Sequence, residues 1–141
     1  MITLEPYRIK YNSLDDYEEK LTEEIVEVIF ENDYEKKCKE LLDVMQVCSG
    51  IYCTLTDRFM LSIDPGKGFS RSKVLSILKE YGSSSIEGKA AYSKELADTC
   101  YSEFCLLLKR ICIQKGETLP DLHQRLLDEH KDKLEKKIEN V

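Results

Sequence analysis

Apolar side chains recur at three- and four-residue intervals along most of this chain, and few residues interrupt them. Only three prolines and six glycines stand among 141 residues, so the elements are expected to be long and joined by few turns. No stretch alternates apolar and polar residues convincingly enough to read as a strand. The pattern predicts an all-α protein, a single domain over residues 1–141 that is long enough to enclose a core.

The first helix reads from about Leu14 to Phe30, with Ser13 as its cap and Asp15 and Asp16 in the first turn. Leu14, Tyr17, Leu21, Ile25, Val28 and Ile29 form its apolar stripe. Glu18, Glu19, Glu23, Glu24 and Glu27 cover the other side and read as a solvated acidic face. Asn32-Asp33 caps a second helix near Tyr34, and Ser49-Gly50 suggests a break or kink before a third helix that ends by Ile63. A fourth runs from Arg71 to Tyr81, with Ser70 as its cap and Gly82 at its end. Ser84 and Glu87 fit a capping box for a long helix, Ile86 to Ile113. Beyond the turn at Gly116–Pro120, a last helix covers Asp121–His130, and Lys131–Val141 reads as a helical extension or a frayed tail. The sum is a bundle of six to eight helices, with Arg71–Tyr81 as the candidate central helix.

Several function classes are disfavoured. A formal charge of −6 provides no field for nucleic acid. Met1–Asn12 is polar and carries a proline, unlike a secretory leader, so the six cysteines are expected as free thiols in the core. His123 and His130 are seven positions apart, not at the four-residue spacing of a helical metal pair. No metal or cofactor is expected, and no catalytic residue: neither histidine faces a recognisable serine or cysteine nucleophile. Pro65-Gly66-Lys67-Gly68 lacks the first glycine and the following Ser or Thr of a phosphate-binding loop. No apolar run is long enough for a transmembrane segment.

The most specific stretch is Ile63–Val74, where a Pro/Gly turn is followed by an aromatic, an arginine and an apolar helix. A second turn, Ile113–Leu122, closes the next long helical segment, with Gln114 lying 45 positions after Phe69. In order and spacing these turns resemble the BH-1 and BH-2 regions of the Bcl-2 family of apoptosis regulators. Gly66, Phe69, Ser70 and Arg71 take the Gly, Trp, Gly and Arg places of the first, and Cys112–Gly116 the place of the second. Both family tryptophans are missing, and the family's own BH-3 signature is not legible at Ser49-Gly50-Ile51.

The resemblance implies a Bcl-2-like bundle around a central helix with a surface hydrophobic groove, of the diverged type carried by large DNA viruses. It implies a partner, the BH-3 helix of host pro-apoptotic proteins such as Bim, Bak or Bax, whose capture blocks cell death. Arg71 would meet the ligand's aspartate, with Phe69 and Ser70 beside it. Met45, Cys48, Ile51, Tyr52, Leu55 and Phe59 would form the walls, with Val74 below. An alternative within the same resemblance is a viral inhibitor of innate immune signalling that acts on an adaptor through a helix face. Cytoplasmic residence in the host cell is expected, with recruitment to the mitochondrial outer membrane through partners. The charged tail KDKLEKKIENV stands where many relatives carry a membrane anchor. An open apolar groove would also leave homodimerisation as an option.

Overall fold

The computed structural model describes residues 1–6 and 13–139, the last two of these by backbone alone. The readings placed on residues 7–12 and on Asn140 and Val141 lie outside the described residues. In chain order the elements are β1 (Ile2–Leu4), α1 (Leu14–Phe30), α2 (Tyr34–Thr56), β2 (Leu61–Ile63), α3 (Arg71–Ser83), α4 (Ile86–Lys115) and α5 (Leu119–Glu139). The protein is mostly helical, as the periodicity predicts, with five helices among the described residues rather than six to eight.

Local signals account for most helix starts. Ser13, Asp33 and Ser70 each have extended backbone, and their side chains accept the backbone N–H three residues on. At α4 the cap is Ser85, whose Oγ accepts from Gly88 N, one residue beyond the expected Ser84. Gly116, at φ 71°, ends α4 in the left-handed conformation that glycine adopts without a Cβ penalty. The last helix extends through the charged tail to Glu139.

The lower helix count has a steric cause. Ser49-Gly50 does not break the chain; α2 runs straight through it. A Cβ built on Gly50 would lie within 2.9 Å of three ring carbons of Tyr17, so the glycine lets α1 approach α2 closely. The helix ends at Thr56, where Asp57 turns left-handed, and not near Ile63.

The strands were not expected. Ile2 pairs with Ile63 and Leu4 with Leu61 in antiparallel register. Two three-residue strands are marginal alone, and helix side chains hold them in place. Ser49 Oγ donates to Leu4 O and Gln46 Nε2 to Glu5 O, both at 2.6 Å, and Lys94 Nζ donates to Ser62 O at 2.9 Å.

The core lies mainly between α2 and α4. Cys38, Leu41, Leu42, Met45, Cys48 and Ile51 meet Leu96, Cys100, Phe104, Leu107, Leu108 and Ile111. Helix α3 adds only Val74, Ile77 and Tyr81 from one side. The central element is therefore the α2–α4 pair, and not the Arg71–Tyr81 segment, whose outer face meets solvent.

Candidate functional site

The turn between β2 and α3 is fixed onto α4 from below. Asp64 N donates to Asp98 Oδ1 at 3.0 Å, Gly66 N donates to Asp98 O at 3.0 Å, and Ser102 Oγ donates to Gly66 O at 2.7 Å. A Cβ on Gly66 would come within 3.3 Å of Asp98 and Thr99, so the glycine allows a backbone approach to α4 that a side chain would crowd. Ser70 Oγ then accepts from Lys73 N and opens α3. Phe69 is half-buried against the core, with Lys37 Nζ 5.8 Å from its ring centroid.

Arg71 follows immediately and is exposed. It has no hydrogen bond or ion pair among the described residues. Leu75, 53% exposed, and the exposed Lys79 follow at successive four-residue steps on the same helix face. The result is a narrow basic–apolar–basic stripe on an otherwise acidic molecule.

The expected groove residues separate into three groups. Met45, Cys48 and Ile51 have no exposed surface and Val74 has 1%, so these four belong to the core and offer nothing to a ligand in this conformation. Tyr52, Leu55 and Phe69 pack half-buried at the core margin. Ser70, Arg71 and Phe59 are on the surface, Phe59 at 86% exposed. The physical reason is the continuity of α2: the helix is unbroken at Gly50, and its apolar residues share one core with those of α4.

An open pocket of about 810 Å³ lies elsewhere, between β1 and α5. Ile2, Gln46, Met60, Leu127 and Leu134 contribute to its lining, and none of the ten expected residues does. Beside it His123 Nε2 meets Tyr101 Oη at 2.9 Å, and burial holds the imidazole below its ordinary pKa. All six cysteines are free. Burial pushes the thiols of Cys38 and Cys100 up to about 12, which makes them poor nucleophiles.

Sequence reasoning missed a buried polar centre. Glu24 is not on a solvated face; it is 6% exposed and points inward. His130 is also buried, beside Asp43 and Gln46. The signal was present as three-residue pairs on separate helices, Glu24/Glu27, Glu40/Asp43 and His130/Lys133, but no sequence spacing joins them. Among the described residues no helix is long and apolar enough to cross a membrane. No protein-family model matches the chain, and neither a curated protein nor a solved structure shows significant similarity to it.

Proposed function

We propose that the chain is a protein-binding bundle that engages an acidic, apolar-faced segment of a partner on the outer surface of α3. The observation that carries this reading is Arg71, exposed and without a partner among the described residues, on one helix face with Leu75 and Lys79. A cation in a first helical turn is disfavoured by the helix dipole, so its own fold gains little from it there. A partner carboxylate gains a guanidinium able to form two parallel hydrogen bonds, with Leu75 supplying the apolar contact. Of the two functions that the resemblance to Bcl-2 proteins implies, this matches the adaptor-directed one, viral inhibition of innate immune signalling through a helix face.

Capture of a BH-3 helix is the second reading, favoured by the apolar edge that Tyr52, Leu55 and the exposed Phe59 leave beside the core. It requires α3 to move outward, uncovering Val74 and the α2 face. The test expresses wild type, Arg71→Glu and Leu75→Asp in cells carrying an innate-signalling reporter and, separately, challenged with a death stimulus. The helix-face reading expects reporter suppression by wild type, lost in both variants. Protection from death, with the reporter unaffected, would favour BH-3 capture instead.

A further inference from the structure

The packing of α1, α2 and α5 concentrates charge in one place. Glu24 and Glu27 come from α1 and Glu40 and Asp43 from α2, each pair three residues apart on one helix face. One oxygen each from Glu24, Glu40 and Asp43 lie within 4.8 Å of one another. Lys20 Nζ reaches Glu24 Oε1 at 3.1 Å, and Lys133 Nζ reaches Asp43 Oδ1 at 2.8 Å. Four carboxylates thus gather beside the ammonium groups of Lys20 and Lys133, with Lys137 at the rim of the adjoining pocket.

Two independent observations say that this centre lacks something. Glu24 Oε2 and Glu40 Oε2 are buried and no donor reaches either, although Glu24 is 94% buried as the complement of its 6% exposure. A buried carboxylate oxygen without a donor or cation is costly. The second concerns His130. Gln46 Nε2 donates to the Glu5 carbonyl, so Gln46 Oε1 is the atom facing His130 Nε2 at 3.1 Å and accepts its proton. That tautomer leaves Nδ1 as a bare lone pair 3.6 Å from Asp43 Oδ1. Two acceptors face each other there, and the cation on that Asp43 oxygen is Lys133 Nζ at 2.8 Å. A pocket of about 40 Å³, lined by Lys20, Glu24, Asp43 and Lys137 among others, opens this centre to the outside.

We infer that Glu24, Glu40 and Asp43 form a divalent-cation site at the junction of α1 and α2, with oxygen ligands and the size preference of calcium. An ion holding oxygens at about 2.3–2.6 Å accommodates ligands up to roughly 5 Å apart, which suits the spacing found here. Magnesium, at about 2.0–2.1 Å, would need the carboxylates drawn closer together. The ion offsets the excess of carboxylates, gives the orphaned oxygens a partner and ties α1 to α2. His130 lies at the edge of the site, its Nδ1 directed at the Asp43 ligand.

The experiment titrates calcium and, in parallel, magnesium into the chelator-stripped full chain at neutral pH, by calorimetry and by thermal melting. The site predicts saturable calcium binding with a Kd on the order of 10⁻⁵–10⁻³ M, weaker magnesium binding, and a melting temperature that rises with calcium. Glu24→Gln and Asp43→Asn should each weaken calcium at least tenfold. Both remove a repelling charge, so both should fold, which circular dichroism checks. Lys133→Gln, outside the ligand set, should tighten binding by releasing Asp43. No saturable heat and no melting shift through about 10 mM calcium would overturn the site. So would calcium binding left unchanged by Glu24→Gln and Asp43→Asn.

Discussion

The Asp64–Arg71 turn and the acidic junction of α1 with α2 are opposites in how they advertise themselves. The turn is contiguous, rich in Pro, Gly, Ser and an aromatic, and easily seen in the sequence. In space it is well satisfied: Asp98 and Ser102 hold it from below, Ser70 caps α3, and Arg71 is left facing solvent. The junction is assembled from residues scattered between Lys20 and Lys133 and has no motif. In space it is the less satisfied of the two, with buried oxygens that no donor reaches. A recognisable motif and a chemically incomplete site are different things, and in this molecule they occur in different places.

The largest effect expected comes from the expected groove walls that lie in the core. Met45→Ala should cost about 2–5 kcal/mol of unfolding free energy, read by urea denaturation, because it empties space in the α2–α4 core. A Met45→Ala protein of unchanged stability but altered peptide binding would restore the groove and break the contrast. Gly50→Ala should cost about 1–3 kcal/mol by forcing the Tyr17 ring away.

The junction should respond to pH. Burial, together with the carboxylates of Glu27, Asp43 and Glu24, raises Glu40 to about 7. Its contribution to stability is therefore full below the ordinary carboxyl pKa and is lost as pH rises through about 7. Glu40→Gln should accordingly match wild type near pH 4 and exceed it at pH 8 by about 1–2 kcal/mol, a figure discounted for solvent screening. Burial depresses His130 to about 4, with the opposite sign: its contribution is present above its ordinary value and is lost as pH falls through about 4. Denaturation midpoints across pH 4–8 read both, and a pH-independent difference between Glu40→Gln and wild type would remove the junction's special character.

Smaller changes belong to the turn. Asp98→Ala releases the bond from Asp64 N and the ion pair to Lys94, and should cost about 1 kcal/mol. Arg71→Glu should leave stability within about 0.5 kcal/mol of wild type, since the arginine contacts no partner among the described residues. A larger loss by thermal melting would mean that Arg71 serves the fold rather than a partner.

Much of the fold was legible because helix caps act locally. Ser13, Asp33 and Ser70 sit where their side chains satisfy the first free N–H groups, whatever the tertiary structure does. The misreadings share one cause: each depends on a neighbour distant in sequence. Gly50 looks like a helix breaker until Tyr17 occupies the space above it. Leu61-Ser62-Ile63 is too short to read as a strand without Ile2 and Leu4 opposite. Glu24 belongs to a solvated face by period alone, yet in the fold it is buried beside Glu40 and Asp43. The candidate site fared likewise. Helix α3 does start at Arg71 behind the Ser70 cap, while of the expected walls Met45, Cys48 and Ile51 lie in the core and Phe59 on the surface.

The most direct measurement of the closed core and the outward arginine is calorimetric titration of the purified chain with a panel of BH-3 peptides. With Met45, Cys48, Ile51 and Val74 sealed between helices, no measurable binding is expected at about 50 μM peptide. A Kd at or below about 1 μM, weakened tenfold or more by Arg71→Glu, would contradict it.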